Sequence, residues 1–129
     1  MIAVDTSVWI AFFRGRDHRT AAQLRRLLDA NAVALPAPVR VEILSGASRH
    51  DFGRLRRLLS ALPTAFPTRE TWSHIDRWLV RAVAAGEHFG VGDTLIAALA
   101  AEHGWSMWSL DGDFARMSEL GWIVLYAPG

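Results

Sequence analysis

The sequence predicts an α/β fold with a mainly parallel sheet. Short apolar runs alternate with longer amphipathic segments along the chain, and that alternation is the signature of strands joined by helical crossovers. Acidic residues also follow directly on apolar runs, where open parallel sheets bind their ligands, outside the carboxyl ends of the strands.

Met1 to Val4 is apolar, suits a buried strand, and ends at Asp5. Thr6 to Phe13 carries Val8, Trp9, Phe12 and Phe13 at helical spacing. Asp17 to Asn31 places Ala21, Leu24, Leu27 and Leu28 on one face, an amphipathic helix. Ala32 to Leu35 is a second strand stopped by Pro36 and Pro38, followed by helices from about Val39 to Ala47 and from Asp51 to Ala61. Thr64 to Phe66 is a weak third strand between prolines. Arg69 to Glu87 is a long helix with Trp72, Ile75, Trp78, Leu79, Ala82 and Val83 on a wide apolar stripe, which predicts Trp72 and Trp78 as core residues. Gly90 and Gly92 precede a helix from Asp93 to His103. Trp105 to Leu110 is a strand, Asp113 to Leu120 a short helix and Trp122 to Tyr126 a last strand.

The chain has 129 residues, which fits one domain spanning 1–129, and no linker, repeat or low-complexity tract divides it. Hydrophobic residues make up 51% and charged residues 21%, the balance of a globular protein. Cys is absent, which excludes disulfides, thiolate catalysis and cysteine-based zinc sites. Lys is absent too, since all 14 basic residues are Arg. A P-loop and a Schiff-base enzyme each need a Lys, so neither is built here and no nucleotide cofactor is expected. With no charged leader before a cleavable apolar stretch and no apolar run long enough to span a bilayer, a cytoplasmic protein without membrane contact is expected. The net charge of +1 names no partner, although Arg14, Arg16 and Arg19 cluster early and Arg54, Arg56 and Arg57 form a second group.

The carboxylates carry the chemistry. Asp5 closes the first strand, Asp111 and Asp113 follow the fourth, Asp93 opens a helix, and Glu42 sits in a helix beside Val41, Ile43 and Leu44. Asp5, Asp93 and Asp113 each precede a helix and could simply cap it. Glu42 lies on no evident polar stripe. Several carboxylates converging on one cleft repel each other and need protons, Arg or metal to neutralise them. Mg²⁺ and Mn²⁺ favour oxygen ligands and suit phosphoryl displacement. The five His residues have no metal-ligand spacing, and no nucleophile-elbow phrase occurs. His103, at a helix end, reads as structural. A haloacid-dehalogenase-type phosphatase wants a second Asp where Ser7 stands, and a later Lys.

Four phrases in order, Ile2-Ala3-Val4-Asp5-Thr6-Ser7-Val8-Trp9-Ile10, Pro38-Val39-Arg40-Val41-Glu42-Ile43-Leu44-Ser45-Gly46, Gly92-Asp93-Thr94-Leu95-Ile96-Ala97-Ala98-Leu99-Ala100 and Ser109-Leu110-Asp111-Gly112-Asp113-Phe114, resemble those of PIN-domain nucleases of the VapC toxin type. The resemblance implies a three-layer α/β/α fold around a five-stranded parallel sheet. It also implies metal-dependent cleavage of an RNA substrate, homodimerisation, and inhibition by a cognate antitoxin. Asp5, Glu42 and Asp93 match the family's metal-site acids. Asp111 and Asp113 both qualify as the fourth; Asp111 is favoured as nearer the strand end, with Asp113 as support, further ligand or helix cap. The expected site is thus Asp5, Glu42, Asp93 and Asp111 around Mg²⁺ or Mn²⁺. Thr6 and Ser7 match the polar pair after the first acid, and Ser109 keeps the hydroxyl of the Thr common at its position. Arg14, Arg16 and Arg19 are candidate RNA contacts. Trp9, Phe12 and Phe13 read as core, or as part of the antitoxin groove that the family builds on this helix. A catalytically weak module binding RNA or protein through the same acids is the alternative.

Overall fold

In the computed structural model, which describes residues 1–128, the sheet is built on β1, Ile2–Val4, whose Ala3 and Val4 are fully buried. The elements follow in the order α1 (Thr6–Arg14), α2 (His18–Asp29), β2 (Val33–Pro36), α3 (Ala37–Ser45), α4 (Phe52–Ser60), β3 (Thr64–Ala65), α5 (Arg69–Ala84), α6 (Val91–Glu102), β4 (Ser106–Trp108) and α7 (Gly112–Glu119). The strand order is β3-β2-β1-β4 and every pairing is parallel, with Ile2 opposite Val33 and Ser106, and Leu35 opposite Thr64. Parallel neighbours need long crossovers, and the helices supply them. α1 and α2 join β1 to β2, α3 and α4 join β2 to β3, and α5 and α6 carry the chain from β3 to β4. The chain steps outward from β1 to β3 and then returns to the far side of β1 as β4. The direction of winding therefore reverses between β1 and β4, and the crevice at their carboxyl ends is the natural ligand position.

The sheet has four strands rather than the expected five. The segment Trp122 to Tyr126 does run beside β4, but it makes one parallel bridge, Met107 with Leu125. Its ladder consists of Met107 N–H donating to Val124 O (2.8 Å) and Tyr126 N–H donating to Met107 O (2.8 Å). β4 offers only three residues, and Val124 and Leu125 are exposed on an uncovered edge, so nothing extends the pairing.

α6 occupies the middle of the molecule. Ile96, Ala97, Ala98, Leu99 and Ala100 are all fully buried, as in a helix apolar on every side, and it packs on β2, β4, α3, α5 and α7. The small Ala side chains permit that close approach, and the helix presents its first turn at the crevice. It starts at Val91 with Gly90 at its N-cap, so Asp93 lies inside the first turn rather than before it. α3 starts at Ala37, earlier than expected, because Pro36 and Pro38 sit where a helix start lacks N–H partners anyway. In α5 the buried stripe is narrower than its sequence suggests: Thr71, Ile75, Trp78 and Ala82 are buried. Trp72 is 50% exposed and Val83 79% exposed, so Trp72 is not a core residue. Trp78 is, and it stacks on Trp122 at 4.5 Å with Phe89 edge-on to the pair. Trp9 is fully buried against Phe13, while Phe12 and Phe13 are half-buried.

Candidate active site

Asp5 is 5% exposed at the end of β1 and caps α1. Its Oδ2 accepts hydrogen bonds from Ser7 Oγ (2.8 Å) and Ser109 Oγ (2.7 Å). These hydroxyls are themselves held: Leu110 N–H donates to Ser7 Oγ (3.0 Å) and Asp111 N–H to Ser109 Oγ (2.9 Å). A small polar lattice thus ties the ends of β1 and β4 together and fixes the first carboxylate. The structure places Ser7 and Ser109, two of the expected polar residues, on Asp5, whereas the Thr6 hydroxyl is buried with no partner among the described residues.

Asp93, Asp111 and Asp113 each offer a carboxylate oxygen within 4.8 Å of the others. Asp111 is the N-cap of α7, accepting from Asp113 N–H (3.0 Å), so of the readings open for Asp113 that of helix cap does not apply. Asp113 sits one residue into that helix and pairs with Arg116. Arg116 also binds Glu87 (Nη1 to Oε2, 2.9 Å) and lies over the Phe89 ring at 5.0 Å. Burial pushes the Asp93 carboxyl up to about 7, helped by repulsion from Asp5 and Asp111 and by a hydrogen bond with Asp113. The acids therefore act on one another electrostatically, as a converging set must.

Glu42 comes from α3 to the start of α6 and lies outside the close group formed by Asp93, Asp111 and Asp113. A methyl group added at Gly92 would lie 3.5 Å from Glu42 Oε1, so this carboxylate stands against the first turn of α6, where the helix dipole favours negative charge. It is exposed, contrary to the impression given by its apolar sequence neighbours, since Val41 beside it is exposed as well. Glu42 also borders a cavity of about 380 Å³ lined by Ile10, Phe13, Arg14, Asp51 and Arg54.

The three early arginines do not act as one group. Arg14 lines the cavity beside Glu42, Arg19 lines another beside Leu110, and Arg16 borders neither. Arg116 and Glu87 escaped the sequence reading. Arg116 had a signal, since it stands one helical turn after Asp113; Glu87, in the loop before α6, had none.

Oxygen ligands packed this closely, with the pKa of one carboxyl raised by burial and by its acidic neighbours, form a donor set that fits a hard divalent cation. The cation would relieve the mutual repulsion of these carboxylates, part of which Arg116 already offsets at Asp113. The soft-ligand metals find no thiol here.

Ribonuclease VapC11 of Mycobacterium tuberculosis is 37% identical over 128 residues, covering 93% of this chain and 96% of the relative. Among solved structures, VapBC2 from Rickettsia felis bound to a promoter DNA fragment superposes with a TM-score of 0.78 at 18% identity, over 98% of both chains. A toxin–antitoxin complex from Klebsiella pneumoniae gives a TM-score of 0.75 at 17% identity, over 100% of this chain and 98% of the other. The PIN domain model matches residues 2–120. On that match, and on 37% identity to a VapC ribonuclease over nearly the whole chain, the chain belongs to the PIN domain family.

Proposed function

We propose that the protein is a divalent-metal-dependent endoribonuclease, the toxin of a toxin–antitoxin pair, that hydrolyses RNA phosphodiester bonds at the crevice between β1 and β4. The observation that carries this reading is the convergence of Asp93, Asp111 and Asp113 beside the anchored Asp5, in a chain similar to a named ribonuclease. Asp93, Asp111 and Asp113, with Asp5 and Glu42, would hold Mg²⁺ or Mn²⁺. Such an ion offsets the carboxylate charge and lowers the pKa of a bound water.

The chain's own residues do the rest. Ser7 and Ser109 hold the Asp5 carboxylate, so that it need not reorganise while phosphorus is attacked. Arg116 holds Asp113 and keeps the start of α7 in place. A carboxylate of the set takes the proton of the attacking water. The leaving 3′-oxygen recovers a proton from solvent, so the products carry 5′-phosphate and 3′-hydroxyl ends and the 2′-hydroxyl takes no part. The cognate antitoxin and a second copy of the chain are the expected partners; the solved VapBC and toxin–antitoxin assemblies of the same fold support the first. The described residues contain no helix long and apolar enough to cross a membrane.

The test is cleavage of a mixed tRNA and rRNA pool by the purified chain with Mg²⁺ or Mn²⁺, with EDTA, and by Asp5→Asn. Cutting that disappears with EDTA and in Asp5→Asn is expected. A folded protein that binds the metal and cuts no RNA would leave a binding module instead.

A further inference from the structure

On the α2 side of the crevice lies a cavity of about 620 Å³, lined by Arg19, Thr20, Gln23, Arg26, Trp108 and Leu110, with Pro128 at its edge. Its size falls in the range of about 300–1,000 Å³ typical of small-ligand sites. It adjoins the carboxylates directly, because Leu110 stands between Ser109, which holds Asp5, and Asp111 of the acidic cluster.

Its charge is opposite to that of the carboxylates. Among the described residues no acid lines it, and neither Arg19 nor Arg26 takes part in an ion pair. Arg26 nonetheless has a hydrogen-bond partner in Gln23. Its guanidinium donates to Gln23 Oε1 through Nε (3.1 Å) and Nη2, and Gln23 Nε2 donates in turn to the Tyr126 hydroxyl. Tyr126 packs on Trp108 at 5.6 Å, and Trp108 is 3% exposed in the core. A side chain that usually roams in solvent is thus braced on the sheet by a relay of neutral groups. Bracing a cation without neutralising it leaves its charge for something else. Beside it, Leu110 is 54% exposed, an apolar face next to two guanidinium groups.

We propose that this cavity is a nucleotide subsite for the RNA strand, taking the nucleotide next to the bond being cut. Its phosphate lies on Arg19 and Arg26, and its base or ribose lies against Leu110. A guanidinium fork fits a phosphate, and the exposed Leu110 side chain offers apolar contact without base-specific hydrogen bonds, so the subsite positions the strand with little base selection. Gln23 and Tyr126 are positioning residues that act through Arg26. The assignment rests on the ribonuclease reading for the role of the bound strand, but its binding test does not depend on cleavage.

The test uses Asp5→Asn, which retains RNA uncut, and a short labelled single-stranded RNA followed by fluorescence anisotropy across a range of salt. Adding Arg19→Ala and Arg26→Ala should weaken binding roughly tenfold and lower the salt slope by about 0.7 for each phosphate no longer neutralised. Arg77→Ala, on the exposed face of α5, should change neither. Both arginines are exposed on α2, so folding should be unaffected, and a thermal melt checks this. In the active protein the same pair should raise KM about tenfold and leave kcat within about twofold, as expected for weakened strand binding. Gln23→Leu should give a smaller effect of the same kind. RNA affinity and salt slope equal to those of the parent would overturn the subsite, as would loss of affinity for an acidic peptide alone. If the active chain cuts no RNA while RNA binding still depends on both arginines, the nuclease reading fails and the subsite stands.

Discussion

Ser109 Oγ lies 2.7 Å from Asp5 Oδ2, a hydrogen bond between residues 104 apart that joins the carboxyl ends of the two strands where the sheet reverses its winding. It is the link between fold and chemistry, because it makes the geometry of the first carboxylate depend on the pairing of β1 with β4. Ser109→Ala should therefore lower the cleavage rate by about tenfold or more, the usual cost of removing a group that orients a ligand. Stability should fall by only about 1 kcal/mol. Ser109→Thr, which keeps the hydroxyl, should restore most of the rate. Cleavage kinetics and urea unfolding of both variants check this.

Asp93 gives the metal-free protein a defined pH dependence. Its folded pKa of about 7 is above the ordinary value of 3.8, so between these limits the folded state binds more protons than the unfolded one. Stability is then greatest on the acid side of that window and falls as pH rises through it. Thermal melts in EDTA should show the melting temperature of wild type dropping from about pH 4 to 7 and that of Asp93→Asn changing less. Saturating Mg²⁺ should flatten the wild-type curve, because the ion favours the ionised carboxylate.

Asp111 and Asp113 should not be equivalent. Arg116 already neutralises Asp113, whereas Asp111 has no cationic partner among the described residues. Asp111→Asn should reduce cleavage by about a hundredfold or more, on the scale of removing a ligand to the metal. Asp113→Asn should retain roughly a tenth of the activity, because Arg116 already offsets its charge and leaves it the weaker of the two ligands. Rates at saturating Mg²⁺ decide it, and Mg²⁺ titrations show whether either effect lies in metal affinity.

The two tryptophans of α5 should separate sharply in stability. Trp78, buried and stacked on Trp122, should cost about 3–5 kcal/mol when changed to Ala. Trp72 is half exposed, and its change to Ala should cost about 1 kcal/mol or less. Urea unfolding of the two variants beside wild type measures both.

The helices and strands that carry the site were legible because each has a strong local signal. The apolar run ending at Asp5, the break at Gly90 and Gly92, and the run ending near Ser109 each locate an acid relative to a strand end or helix start. Which acids meet is a matter of topology, and the return of β4 to the far side of β1 is written in no single segment. Trp72 misled because periodicity reports which residues share a face, not whether a second element covers all of it; α5 packs chiefly on α6. The last strand misled for a related reason. Trp122 to Tyr126 is apolar enough to pair, but β4 is too short to give it more than one bridge. The Gln23–Arg26–Tyr126 relay was invisible because Gln23 and Tyr126 are distant in sequence and meet only when the final segment lies along β4.

The most direct test of the central claim is the end chemistry of RNA cut by the purified chain in Mg²⁺, with Asp93→Asn treated alongside. Fragments with 5′-phosphate and 3′-hydroxyl ends, produced by wild type and absent with Asp93→Asn, are the predicted result. Fragments ending in 2′,3′-cyclic phosphate, or equal cutting by Asp93→Asn, would contradict hydrolysis at this carboxylate cluster.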